Sequence, residues 1–247
     1  MSHDNGQVAL VSAGSRGVGA ATVRDLAAAG WHVSFCHDRD ERSAVEAEKA
    51  ASELGVRVLA VQADVTRAGE VASWVRRAEE ELGPVQAAVS CAGISRDRPL
   101  ALLEAADWRA VIDTNLDGAF HLCRAVLPAM MARQSGRIVT VSSVSAVYGG
   151  TAASTSSAAR AGIAGFTRAL ASQTRRYGIR VNAVTPAASS RADLTSIWPE
   201  GTRVPLTEAI ALRRFASAAA AADRVAFLLS EVAADLTGTV LEVPGGI

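Results

Sequence analysis

Short apolar, β-branched-rich runs recur along the chain at 7–12, 31–37, 56–62, 85–91, 136–143, 179–185 and 239–243. Runs of this length and composition predict buried strands. Between them, segments 17–29, 41–54, 67–82, 106–133, 155–177 and 218–229 carry apolar residues at helical spacing and mostly end at a glycine, which predicts helices. Strand and helix alternate throughout, so the pattern predicts an α/β fold. Its seven strands form a doubly wound parallel sheet, with right-handed crossovers laying helices on both faces. The periodicity lapses only over 187–214, which contains Pro199, Gly201 and Pro205; a long insertion at the carboxyl edge of such a sheet is expected to act as a substrate lid. The Ala-rich stretch 216–222 reads as a helix start rather than a tether.

No linker or repeat divides the 247 residues, and a 49% hydrophobic content suffices for one large core, so 1–247 is expected to be a single domain. Basic and acidic residues balance at 25 each, which leaves no electrostatic footprint for nucleic acid, a membrane surface or a strongly charged partner. The ligand therefore has to be argued from a site; the small-molecule substrate comes with the resemblance given below. Cys36, Cys91 and Cys123 are widely spaced, without a C-x-x-C pair or a histidine cluster. Neither a disulfide framework nor a metal site is expected. The opening MSHDNGQVALVS has no basic region followed by an apolar one, and no apolar run approaches a membrane span; a cytoplasmic protein without membrane contact is the expectation.

The first strand runs into SAGSRGVG at 12–19 and then into a helix. Strand, glycine-rich turn and helix in that order let backbone N–H groups and a helix N-terminus receive a dinucleotide pyrophosphate. Gly14, Ser15, Arg16, Gly17, Val18 and Gly19 are the candidate contacts, with Gly17 and Gly19 permitting close backbone approach. Arg16, together with His37 and Arg39 after the second strand, favours an adenosine 2′-phosphate and hence NADP(H). An acidic residue ending that strand favours ribose hydroxyls, and Asp38 just beyond it keeps NAD(H) open.

These features resemble the short-chain dehydrogenase/reductase family, nearest to its 3-oxoacyl-acyl-carrier-protein reductases, and the likeness runs along nearly the whole chain. The family's T-G-x-x-x-G-I-G is met by Ser12 and Ala13 in its first two places, with Gly14 one place later. The resemblance implies a Rossmann-type fold in which Asp64 and Val65 of QADV hold adenine. It implies that Cys91, Ala92 and Gly93 of VSCAGIS border the cofactor, Ser90 and Cys91 standing where the family has two asparagines. Pro186, Ala187 and Ser189 of VTPAASSRAD are implied near the nicotinamide, with Ala187 for a glycine and Arg191 for a threonine. Assembly as a dimer or tetramer through the helices at 107–133 and 155–177 is implied too.

In this family a tyrosine hydroxyl gives the carbonyl its proton, a lysine lowers the tyrosine pKa, a serine orients the carbonyl, and an asparagine supports a relay water. By resemblance, Ser143 of TVSSVSA and Asn115 of IDTNLDGAF fill the last two roles. The Y-x-x-x-K pair, whose spacing shares one helical face, aligns through AGIAGFTRALA with Ser156 and Arg160. A serine is shorter and far less acidic than a phenol, and an arginine stays charged at every accessible pH. Arg160 can still meet ribose hydroxyls, so it belongs with the cofactor residues as well as with the catalytic set Ser143, Asn115, Ser156 and Arg160. Tyr148 is expected to line the substrate pocket, and His121 to be packed or surface-facing. The expected function is an atypical NADPH-dependent ketoreductase for a polyketide-like or otherwise activated carbonyl in bacterial secondary metabolism. The alternatives are a silent subunit that pairs with an active reductase, and a non-redox cyclase or dehydratase on the same scaffold.

Overall fold

The computed structural model describes residues 6–143, 145–149, 152–186 and 216–243. Strands β1 (Val8–Val11), β2 (His32–His37), β3 (Val58–Gln62), β4 (Val85–Ser90), β5 (Gly136–Val141), β6 (Ile179–Pro186) and β7 (Val240–Val243) form one sheet in the order β3-β2-β1-β4-β5-β6-β7. Every neighbouring pair is parallel. The helices are α1 (Gly17–Ala28), α2 (Glu41–Ser52), α3 (Ala68–Leu82), α4 (Ala105–Ile112), α5 (Gly118–Arg133), α6 (Ser145–Tyr148), α7 (Ser154–Thr174) and α8 (Ala218–Leu229).

Alternation along β1 assigns its side chains to two layers. Val8 and Leu10 pack with Trp74 and Val75 of α3, Leu122 and Val126 of α5 and Leu170 of α7. Ala9 and Val11 pack with Val23 and Leu26 of α1, Ala44 of α2 and Val225 and Leu228 of α8. Both faces of β1 are fully buried, which is why its sequence is continuously apolar rather than alternating. The indole N–H deep in the first layer is satisfied: Trp74 Nε1 donates to Ser34 Oγ at 2.9 Å.

The helix expected at 106–133 is interrupted. Residues Asp113–Asp117 form a π turn between α4 and α5, and Gly118 N–H donates to the Asp113 carbonyl. The interruption has tertiary causes. A Cβ at Gly118 would sit 2.9 Å from Val65 Cγ2, so the chain approaches the β3–α3 connection too closely for any side chain there. The extra residue in the turn also carries Asn115 into the interior, where it is 2% exposed.

Strand order reverses between β1 and β4, and the carboxyl ends of those two strands flank the crevice where sheets of this kind bind ligands. Ser12 to Gly19, Ser90 to Gly93 and, one strand further, Ser142 and Ser143 all lie at that edge.

Candidate active site

The phosphate turn is shaped by backbone. Ser12 N–H donates to the Val89 carbonyl at 2.9 Å, and its hydroxyl accepts from the N–H groups of Cys91 and Ala92 at 2.9 and 3.0 Å. One short side chain therefore stitches the ends of β1 and β4 together. Ala13 follows at φ 53°, left-handed backbone that costs a residue with a Cβ about 1–2 kcal/mol. A Cβ at Gly14 would lie 2.4 Å from Phe35 Cβ, and one at Gly19 would lie 2.1 Å from the Ala13 carbonyl oxygen. At Gly17 the Cβ position has nothing within 4 Å. Helix α1 starts with no side-chain cap at Arg16 and no acid in its first turn, so its N–H groups and positive end face that open space. The turn fits a pyrophosphate.

The end of the crevice expected to take adenosine holds the expected charges in a mixed setting. His37 closes β2 largely buried, and its Nδ1 has no partner among the described residues. Arg16 is exposed, and the equally exposed Arg39 pairs with Asp38 at 3.4 Å. Asp40 is held below the usual carboxylate range, first by the Ser43 N–H it accepts at 3.1 Å, then by the Ser43 hydroxyl and the Arg16 guanidinium. Asp64 folds its own turn, accepting from Thr66 N–H and Thr66 Oγ1 at 2.9 and 2.8 Å. Val65 is buried, and its carbonyl lies 2.9 Å from His121 Nδ1, so His121 is a packed histidine.

The other end of the crevice is built from side chains. Ser142 Oγ donates to the Arg160 carbonyl at 2.8 Å, while Ser143 Oγ accepts the Ser145 N–H at 3.4 Å. Arg160 Nη1 donates to the Val141 carbonyl at 2.6 Å. Its Nη2 presses on Gly93 so closely that a Cβ there would be 2.0 Å away. The guanidinium is thus seated between the ends of β4 and β5. Burial pushes the Cys91 thiol up to about 12, partly offset by the charge of Arg160. Asn115 accepts the Ile94 N–H through Oδ1 at 2.8 Å and donates from Nδ2 to the Ile94 carbonyl at 3.0 Å. Its amide clamps the segment after β4. Ser156, buried in the first turn of α7, donates to Asp97 Oδ1 at 2.6 Å.

Asp97, Ser142 and Ser12 escaped the sequence reading as site residues. Asp97 stands between Arg96 and Arg98, which reads as a solvated loop charge; only the return of its segment onto α7 reveals its partner. Among the described side chains, neither a lysine nor a tyrosine fills the site from elsewhere. Lys49, the sole lysine, is exposed on α2. Tyr177 lies past the far end of α7 and accepts a hydrogen bond from Arg176 at 2.6 Å. At ~1.5 Å per residue it is roughly 30 Å along the helix from Ser156. Pro186 ends β6 in the interior. Ala187, Ser189, Arg191, the lid expected at 187–214 and the Tyr148 side chain lie outside the described residues.

Comparison with known proteins agrees with this architecture. The family described as short chain dehydrogenase matches residues 7–200. An acetoacetyl-CoA reductase of Allochromatium vinosum is 35% identical over 242 residues, covering 98% of each chain. A 3-oxoacyl-[acyl-carrier-protein] reductase of Synechocystis is 36% identical over 244 residues, covering 98% of this chain and 96% of its own. A crystal structure described as a short-chain alcohol dehydrogenase from Sinorhizobium meliloti 1021 superposes with a TM-score of 0.92 at 33% identity, over 98% of this chain and 96% of that one.

Proposed function

Since the chain belongs to the short-chain dehydrogenase family, whose members are NAD(P)-dependent oxidoreductases, we propose that it is an NADPH-dependent ketoreductase in which Ser156 and Arg160 stand in the places of the family's tyrosine and lysine. The substrate class we propose is an activated carbonyl, a quinone or polyketide-like β-dicarbonyl. The observation that carries this reading is the phosphate turn, where an uncapped α1 N-terminus meets the open face of Gly17. Its relatives' names point the same way: both act on acyl thioesters bearing a ketone.

A bound nicotinamide supplies the hydride. The chain's own residues divide the remaining work. The α1 N-terminus holds the pyrophosphate, and Arg16 and His37 favour a 2′-phosphate over a bare hydroxyl. Arg160 keeps positive charge beside Gly93 and Cys91, where a ribose would lie. Ser143 orients the substrate oxygen at the end of β5. General-acid assistance is typically worth about 10²- to 10⁴-fold, so losing the phenol leaves an activated carbonyl reducible where a simple ketone is not. Assembly as a homo-oligomer is part of this proposal; Phe120, on the outer side of α5 and 43% exposed, suits a subunit contact.

Purified protein mixed with NADPH and a panel of quinones, β-diketones and plain ketones tests the reading. We expect NADPH absorbance to fall with the first two groups and not the third. A chain that consumes substrate without any nicotinamide, or that oxidises NADPH with no carbonyl in the panel, contradicts it.

A further inference from the structure

The segment after β4 is fixed at Ile94 by the Asn115 clamp, and three residues later it delivers Asp97 to the start of α7. Oδ1 of Asp97 lies 2.6 Å from Ser156 Oγ. Oδ2 is buried and has no hydrogen-bond partner among the described residues. Among the described residues, the charged groups on the elements around it are Arg96 and Arg98 on its own segment, Asp107 and Arg109 on α4 and Arg160 near the start of α7; Arg109 pairs with Asp113 at 3.9 Å. Arg96 and Arg98 both reach toward Asp107, at 3.9 and 4.0 Å, and Arg160 Nη1 is engaged by Val141. A carboxylate with one oxygen buried and unmatched pays a desolvation cost that a neutral carboxyl avoids. Burial accordingly raises the Asp97 pKa, and the Ser156 hydroxyl opposes the rise by bonding the charged form.

We infer that Asp97 is the proton donor of this site, acting on the substrate oxygen through the hydroxyl of Ser156. The inference rests on the ketoreductase reading and deepens it. The carbonyl carbon gains a hydride from the dihydronicotinamide, which is thereby oxidised, and the carbonyl π pair moves onto oxygen. With the carboxyl protonated on Oδ1, the 2.6 Å bond runs from Asp97 to Ser156 Oγ and turns the Ser156 hydroxyl proton toward the substrate; the substrate oxygen takes that proton while Ser156 Oγ takes the Oδ1 proton of Asp97. Asp97 is left as a carboxylate and recovers its proton from solvent; the substrate is an alcohol. In this arrangement the weak acidity of a serine does not matter, because the hydroxyl passes a proton on rather than losing one. A short side chain also leaves room for the carboxyl behind it.

Two readouts test the inference. The first needs no cofactor: carboxyl groups of the whole chain are titrated by infrared or ¹³C spectroscopy, with Asp97→Asn as the subtraction reference. One carboxyl should titrate above the ordinary aspartate range, vanish in Asp97→Asn, and move higher still in Ser156→Ala. The second is kinetic. Asp97→Asn should lower kcat by about 10²- to 10⁴-fold with KM for the carbonyl and NADPH binding little changed, and Asp97→Glu should recover part of the rate. Wild-type kcat should fall as pH rises through the elevated carboxyl pKa, and Asp97→Asn should lack that limb. No elevated titration, or an Asp97→Asn enzyme with unaltered kcat and pH profile, overturns the role of Asp97 while leaving the ketoreductase reading standing. A chain with the elevated carboxyl that never oxidises NADPH removes the ketoreductase reading, and this role with it.

Discussion

The phosphate turn and the start of α7 lie at the same edge of the sheet but are specified in different ways. At the turn, recognition belongs to backbone: free N–H groups at α1, an open Gly17, and glycines whose missing Cβ atoms leave room for Phe35 and the Ala13 carbonyl. Ser12 and Ala13 fit into this frame at modest cost, since Ser12 still bonds two N–H groups and Ala13 accepts a left-handed φ. At α7 recognition belongs to side-chain atoms. The length of Ser156, the seating of the Arg160 guanidinium and the reach of Asp97 each decide which atom meets which. Backbone-built recognition tolerates substitution, whereas side-chain chemistry changes with every replacement.

The largest expected effect comes from rebuilding the second region. Ser156→Tyr combined with Arg160→Lys replaces the Asp97–Ser156 relay with a directly acting phenol, and should raise kcat on a plain ketone and remove the dependence of kcat on the Asp97 carboxyl. A folded, NADPH-binding double variant with no gain would mean that more than these two positions separates the chain from an ordinary reductase. Breaking the first region takes a single Cβ. Gly19→Val drives side-chain atoms into the Ala13 carbonyl and should abolish NADPH binding in a titration. Overpacking of this kind also costs about 1–3 kcal/mol in a denaturant melt.

Asn115→Ala leaves the Ile94 N–H and carbonyl without partners, at about 1–3 kcal/mol for each group left unpaired and buried. Because Ile94 anchors the segment bearing Asp97, the same variant should weaken the Asp97–Ser156 contact and blur the elevated carboxyl titration. The pH dependence of stability isolates Asp97 itself. Its folded pKa is raised above the unfolded value, so its contribution is present below the ordinary aspartate pKa and is lost as pH rises through the folded one. Asp97→Asn should flatten that decline in Tm. The smallest effect is Ala13→Gly: relief of a left-handed alanine, about 1–2 kcal/mol, is largely offset by about 0.5–1 kcal/mol of added chain entropy. A slight rise in Tm is the expected sign.

The seven strands were legible because both faces of the sheet are buried, which forces short apolar runs separated by helices of 3.6-residue period. The π turn at Asp113–Asp117 was not legible, since one extra residue barely disturbs an apolar stripe. Its causes are contacts from far along the chain, Val65 against Gly118 and Ile94 against Asn115, 53 and 21 residues apart in sequence. Helix α6 is too short for periodicity to register. Among the site residues, Ser156 and Arg160 were legible only through the family resemblance, by alignment on AGIAGFTRALA. Asp97 did not, because a charged residue flanked by arginines has no pattern that distinguishes a solvated loop from a buried contact. Ser12 was visible as part of the turn, but its bonds to Cys91 and Ala92 required knowledge that β1 and β4 are neighbours.

A calorimetric titration of the wild-type chain with NADPH and then NADH tests the central claim most directly, because that claim places an intact cofactor cradle beside a rebuilt proton site. One saturable site per chain, tighter for NADPH than for NADH, is the predicted result. A folded chain that binds neither nucleotide would contradict it.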